Sequence, residues 1–254
     1  MILDKIIKNK KKEIEIAKVK HPLDSFRPFL SLSARNFRRA ITTKRGLALI
    51  GEIKKESPSG LIVKDFDPLK IARIYKEAGI AVISVVTDEK YFKGSLSYLK
   101  QISREIKRIP LLRKDFIIDE YQVYESRYYD ADAVLLIAKI LTEEQINNFV
   151  DIAKILNMDC VVEIHDEADL EKVLKTKAAI IGINNRNLDT LKIDINTTLR
   201  LADKIPKGKI VISESGISSR DYVEKIRNKV NAILVGSHFM NSGNVEEEIT
   251  ALVK

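Results

Sequence analysis

From Leu47 onward one unit recurs eight times: a short apolar run, a polar loop, then an amphipathic helical stretch. The runs are Leu47–Ile53, Ala81–Val86, Pro110–Arg113, Ala133–Ala138, Cys160–Ile164, Ala179–Ile183, Ile210–Ser213 and Ala232–Val235. Such runs read as strands buried on both faces, and strands separated by helices pair in parallel. The helical stretches are Pro68–Ala78, Leu96–Lys107, Glu120–Tyr129, Glu143–Leu156, Glu167–Lys175, Thr197–Lys204, Arg220–Asn228 and one near Val245–Val253, with Pro68 and Thr142 at expected helix starts. Eight units predict an α/β fold, the (β/α)8 TIM barrel. An open doubly wound sheet calls for a G-x-G-x-x-G loop after its first strand, and the sequence has none. The 254 residues suit one barrel of about 250, and no linker divides them. The expectation is one domain, 1–254, with 1–45 as an N-terminal helical extension.

Within that extension, Ile2, Leu3, Ile6, Ile7, Ile14 and Ile16 lie among lysines and glutamates at helical spacing, and Pro22 ends the pattern. A second helix is expected over Leu32 to Ile41, with Arg35, Arg38 and Arg39 forming a solvated face.

The net charge of +8 admits nucleic acid, an anionic membrane or small anions as partners. Basic residues are dispersed apart from Lys8 to Lys12, and no aromatic-interleaved basic motif accompanies them. That favours a small anionic substrate, with no nucleic acid. No apolar run approaches the ~20 residues of a membrane span, and the start of the chain lacks a signal-peptide core. A lone cysteine, Cys160, fits a reducing compartment and reads as a buried small hydrophobe. A cytoplasmic protein is expected.

In a barrel of this kind chemistry sits at the C-terminal ends of the strands. The first run delivers Glu52 and Lys54, two apart and therefore on one face. The third delivers Arg113-Lys114-Asp115-Phe116, the fifth Glu163-Ile164-His165, the sixth Asn184-Asn185-Arg186, the seventh Ser213-Glu214-Ser215-Gly216 and the eighth Gly236-Ser237. One salt bridge closing a strand end would not need polar residues on six strands. Glu52, Lys54, Lys114, Glu163, Asn184 and Glu214 are therefore read as one functional set. Ser215-Gly216 and Gly236-Ser237 follow the seventh and eighth strands, where barrels frequently hold phosphate on backbone N–H groups. Arg186 and Lys54 are candidate cationic contacts to phosphate or carboxylate. Ser57, in the loop Ser57-Pro58-Ser59-Gly60 after the first strand, is a further candidate contact.

His21, His165 and His238 share no metal-ligand spacing, and His165 is expected to point away from Glu163. Mixed carboxylates and lysines suit acid–base work better than a metal cage. Neither metal nor cofactor is expected.

Several segments together resemble the indole-3-glycerol phosphate synthase family. They are Glu52-Ile53-Lys54 with Ser57-Pro58-Ser59, Thr87 to Gly94, Arg113 to Phe116, Asp132 to Ile137, Val162-Glu163, Gly182 to Leu188, Ser213 to Ile217 and Leu234 to Ser237. They occur in family order from about residue 47 to 240. The resemblance implies decarboxylating, dehydrating ring closure of 1-(2-carboxyphenylamino)-1-deoxyribulose 5-phosphate in tryptophan biosynthesis. It implies Lys114 as general acid for ring closure and Glu163 as general base. Lys54 holds substrate and assists dehydration, and Glu52 sets the charge of Lys54. Asn184, Glu214 and Ser215 complete the constellation. Phosphate lies against Gly216, Gly236 and Ser237, and Phe92, Phe116 and Leu135 form an apolar wall around the anthranilate ring. The N-terminal extension covers the mouth, and the protein is a monomer or weak homodimer.

Three residues depart from the family pattern. Asp130 stands where glycine is usual before the fourth strand, Ser213 replaces a common alanine, and His238 follows Ser237. Two rival readings remain at this point. One is a phosphate-binding barrel isomerase, which would place a cysteine or aspartate pair where Lys114 and Glu163 stand. The other is a catalytically inert basic barrel that binds RNA, with affinity falling steeply with salt.

Overall fold

The computed structural model describes residues 2–42, 46–58, 60–61, 65–240, 242 and 244–253. Ser59 of the expected rim loop lies outside the described residues. Eight parallel strands close into a barrel: β1 Ala48–Ile53, β2 Val82–Val86, β3 Leu111–Lys114, β4 Ala133–Ile137, β5 Asp159–Ile164, β6 Ile180–Asn184, β7 Ile210–Glu214 and β8 Ala232–Val235. Closure is direct, because β1 pairs with β2 on one side and with β8 on the other.

Alternation along each strand divides the core into two layers. Ile50, Val82, Leu112, Val161, Ile212 and Leu234 fill the barrel interior. Their neighbours Leu49, Ile83, Val162, Val211 and Ile233 pack outward against the helices. Each such side chain, when fully buried, contributes roughly 1.5–3 kcal/mol. That is why the strands are mostly apolar on both faces until their last residues, with the buried Ser84 in β2 an exception. Cys160 is buried in the outer layer.

The helices start where their first residues can satisfy orphan N–H groups. Asp67 accepts from Leu69 and Lys70 and precedes Pro68. Thr142 and Gln145 form a reciprocal capping box. Asp130 has φ +66°, the left-handed turn that aspartate tolerates better than most residues. Strands β3, β6 and β7 run one residue further than expected, because Thr87 and Asn185 continue the ladder by donating to the carbonyls of Lys114 and Glu214. Three key polar residues are thus the last residues of strands rather than the first of loops.

The extension divides between the two ends of the barrel. Helix Ile2–Lys20 buries Leu3, Ile6, Lys10 and Ile14, whereas Ile16 is exposed. The second helix begins at Phe37 rather than near Leu32. Asn36 accepts from the Arg39 N–H at this start, and Ser33 upstream is tied to Leu156 and Asp132 in non-helical backbone. Phe37 and Ile41 pack into the barrel interior beside Ala48 and Val82, at the strands' N-terminal ends. Only the front of the extension therefore borders the mouth. The solvated face expected for Arg35, Arg38 and Arg39 holds for the exposed Arg38 and Arg39 but not for Arg35. Arg35 is partly buried against Asp132 at 2.6 Å and donates to the Asp130 carbonyl at 2.5 Å. Arg38 pairs with Asp159 at 2.9 Å and stays half exposed.

Candidate active site

At the C-terminal ends of the strands a cavity of about 520 Å³ opens. All fifteen residues singled out above line it: Glu52, Lys54, Ser57, Phe92, Lys114, Phe116, Leu135, Glu163, Asn184, Arg186, Glu214, Ser215, Gly216, Gly236 and Ser237. They come from strands far apart in sequence and meet because inward-facing positions at one end of a closed barrel share one space.

The floor is charged. Lys54 Nζ lies 2.6 Å from Glu52 Oε1. The buried Tyr75 hydroxyl donates to the Glu52 carbonyl at 3.0 Å and fixes the strand end. Lys114 Nζ sits 3.3 Å from Glu163 Oε2 and 3.6 Å from Glu214 Oε2. Two glycines make room for carboxylates. A Cβ on Gly182 would lie 2.4 Å from Glu214 Oε1, and one on Gly236 would lie 2.7 Å from Glu52 Oε1. A side chain at either position would push a carboxylate out of place.

Glu163 and Glu214 face the same lysine but differ in proton affinity. Burial pushes Glu163 up, yet the Lys114 charge, the His165 ring and an Asn184 hydrogen bond outweigh it and hold the carboxyl down. Burial pushes Glu214 up too, and there it prevails, helped by the charges of Glu163 and Glu52. Neither Glu214 oxygen has a hydrogen-bond partner, so the Lys114 charge alone does not outweigh burial. Burial works against charge on Lys114, but Glu163, Glu214 and Glu52 together raise its pKa and keep it an ammonium. Glu52 is held down, against its burial, by Lys54 and Lys114.

The walls are apolar on one side. Phe92 and Phe116 tilt against each other with ring centroids 6.0 Å apart, and Leu135, Ile137 and Leu188 continue the surface, with Leu3 and Ile6 of the N-terminal helix above. On the other side, Ser215 and Gly216 both adopt left-handed backbone, with φ +67° and +74°. That is costly for serine and turns the chain sharply beside Gly236 and Ser237. The Arg186 backbone N–H donates to Asn184 Oδ1 at 2.9 Å, and its guanidinium donates to the Leu191 carbonyl.

Two features escaped the sequence reading. His165 does not point away from Glu163: its Nε2 lies 3.3 Å from Glu163 Oε1. Positions two apart on an extended strand share a face, the same rule that pairs Glu52 with Lys54. Buried Lys10 reaches down from the N-terminal helix to Asp88 and Asp115, each at 2.9 Å. Asp115, next to Lys114, also binds Arg113 and Thr87. Only the burial of a lysine within the apolar helical stripe could have signalled this tie. His238 lines the cavity beside Ser237 and pairs with Glu248 at 2.9 Å. Ser213 is satisfied by Thr198 at 2.7 Å. Among the described residues, no group of three or more His, Cys, Asp and Glu side chains is arranged to hold a metal ion, and no helix is long and apolar enough to cross a membrane.

Solved structures similar to this chain include a 3-hexulose-6-phosphate synthase, with a TM-score of 0.64 at 15% identity, covering 81% of this chain and 98% of that one. Another is thiamine phosphate pyrophosphorylase from Pyrococcus furiosus, with a TM-score of 0.58 at 17% identity, covering 81% and 93%. Identities this low speak to the barrel alone. Sequence relatives are much nearer. The indole-3-glycerol phosphate synthase of Acetivibrio thermocellus is 42% identical, with 98% of each chain covered. That of Caldanaerobacter subterraneus is 44% identical over 97% of each chain. That of Polaromonas naphthalenivorans is 46% identical, covering 95% of this chain and 94% of the relative. The family model described as indole-3-glycerol phosphate synthase matches residues 3–252. The chain therefore belongs to the indole-3-glycerol phosphate synthase family.

Proposed function

We propose a division of labour among the cavity residues for the activity that this family membership carries. That activity is the decarboxylating, dehydrating closure of 1-(2-carboxyphenylamino)-1-deoxyribulose 5-phosphate to indole-3-glycerol phosphate in tryptophan biosynthesis.

The observation that carries the proposal is the position of Lys114 Nζ, 3.3 Å from Glu163 and 3.6 Å from Glu214, at the buried floor of the cavity. In ring closure, the ring carbon bearing the carboxylate attacks the ketone carbon. The ketone oxygen gains negative charge and needs a proton. Lys114, kept protonated by three carboxylates, donates it. Carbon dioxide then leaves and aromaticity returns. Once Lys114 is neutral, the principal charge holding Glu163 down is gone, so its basicity rises as a base becomes necessary. Glu163 takes the proton that completes the pyrrole, while Lys54 assists departure of the hydroxyl. Glu52 holds Lys54 in place, and Asn184 orients Glu163. Glu214 and Ser215 complete the constellation.

Binding follows from the walls. Phe92, Phe116 and Leu135 pack against the anthranilate ring. The phosphate lies against Gly216, Gly236 and Ser237. Arg186 and Ser57 supply further contacts to carboxylate or phosphate. We read residues 1–254 as one domain whose N-terminal helix borders the mouth through Leu3 and Ile6. We read the protein as cytoplasmic, which its single cysteine suits, and as a monomer or weak homodimer, to be tested by sedimentation.

The test is turnover of that substrate to an indole-fluorescent product without added metal, by the unsubstituted protein and by Glu163→Gln. The expected loss for Glu163→Gln is roughly 10²–10⁴-fold in kcat with KM within a few-fold. An unchanged kcat would remove Glu163 from the proton-transfer steps.

A further inference from the structure

His165 has no part in the steps above, yet its imidazole lies in direct contact with the general base. Its Nδ1 is hydrogen-bonded to Asp169 Oδ2 at 3.3 Å, and its Nε2 faces Glu163 Oε1 at 3.3 Å, within ion-pair reach but outside hydrogen-bond geometry. The ring is buried, with 4% of the side chain exposed. The other end of the pair is fixed as well. Asp169 Oδ2 also accepts from the His165 backbone N–H at 3.1 Å. The Asp169 N–H in turn donates to Asp166, which caps helix Glu167–Leu174.

From this geometry we propose that His165 is a positioning residue, an imidazolium clamped between Glu163 and Asp169 that keeps Glu163 ionised and aimed at Lys114.

The chemistry follows from counting protons. Each ring nitrogen faces a carboxylate oxygen, and a carboxylate accepts but does not donate. A neutral imidazole has one N–H, so it would leave one nitrogen lone pair against a carboxylate. Only the doubly protonated ring presents a donor to both. Burial opposes that charge, but hydrogen bonds and charge from Asp169 and Glu163 overcome it and lift the ring to about 9. The other charged groups in reach are consistent. Lys114 and Glu214 lie beyond Glu163, and Asp166 is engaged at the helix cap. Glu214, on the far side of Lys114, has no such clamp, and its carboxyl moves the opposite way. His165 is therefore one reason why, of two glutamates around one lysine, one carboxyl is held down and the other is pushed up.

The inference rests on the reading of Glu163 as base, so the experiment has one arm that does not. In the first arm, imidazole 15N shifts of His165 are recorded in the intact enzyme at neutral pH. Two protonated nitrogens are expected; a single-tautomer neutral ring overturns the proposal whatever Glu163 does. In the second arm, pH profiles of kcat are compared for the unsubstituted enzyme, His165→Asn and Asp169→Asn. Removing the imidazolium shifts the acid limb upward by roughly one to three units, with KM little changed. Asp169→Asn keeps the ring and gives a smaller shift in the same direction. Superimposable profiles, even with reduced kcat or stability, make His165 a packing residue and overturn the proposal. If His165→Asn fails to fold, the Asp169→Asn profile decides alone. Failure of the Glu163 assignment shows itself separately, as an unimpaired Glu163→Gln.

Discussion

Both ends of the barrel bury charge, and they surround it differently. At the N-terminal end, Asp132 is surrounded by donors. Oδ2 accepts from the Leu111 N–H at 2.8 Å and pairs with Arg35 at 2.6 Å. Oδ1 accepts from the Ser33 hydroxyl at 2.6 Å and meets Arg127 at 3.4 Å. At the mouth, Glu214 is as deeply buried but has no hydrogen bond to either oxygen. A buried carboxylate is costly unless paired and hydrogen-bonded. The first arrangement offsets part of that cost, although burial still pushes the Asp132 carboxyl upward, and it ties the extension to the barrel. The second keeps it, and the result is shifted proton affinity where protons must move. Charge of one kind stabilises at one end and does chemistry at the other.

Substitutions can break this contrast. The largest effect is expected from Lys114→Ala, which should lower kcat by roughly 10²–10⁴-fold while substrate still binds. A rise in KM alone would show that Lys114 holds substrate rather than protonating it. Next is Asp132→Ala, which strands the partly buried Arg35 guanidinium and the buried Arg127. Chemical denaturation should show a loss of about 3–5 kcal/mol, with kcat per folded molecule unchanged. A large fall in kcat at full occupancy of the folded state would mean the two ends are coupled.

Glu214→Gln tests the mouth from the stability side. A carboxyl whose folded pKa lies above its unfolded value favours folding at low pH. That favour is lost as pH rises through the folded pKa. The variant should therefore match the unsubstituted protein in mild acid and become the more stable of the two, by about 1–3 kcal/mol, towards and above neutral pH. Equal stability across that range would show that Glu214 is ionised at no cost. The smallest effect is expected at Arg38→Ala. Its pair with Asp159 is half exposed, so no more than about 1 kcal/mol should be lost, with no change in kcat. A larger loss would mean that Arg38 anchors the extension as Arg35 does.

The barrel was legible because its signal is local and repeated. Eight apolar runs can be buried on both faces in one way, and Asp67 and Thr142 mark helix starts by their own hydrogen bonds. The site was legible for the same reason. Strand direction places the last residues of every strand at one end, so Glu52, Lys114, Glu163, Asn184 and Glu214 had to meet. What escaped depends on partners distant in sequence or on three-dimensional crowding. Arg35 looked solvated because Asp132 is nearly a hundred residues away. Lys10 looked like surface until it met Asp88 and Asp115. His165 was misjudged although its spacing from Glu163 was readable. Its second partner, Asp169, lies on the following helix and could not be placed from the strand alone.

The sequence by itself determined the strand order, the end of the barrel that carries chemistry and the residue types gathered there. These follow from side-chain alternation and apolar burial, which act within a few residues. Only the tertiary structure decided which carboxylate is ionised. Proton affinity depends on donors and charges within a few ångströms. Around Lys114 those are supplied by β1, β3, β5, β6 and β7 together.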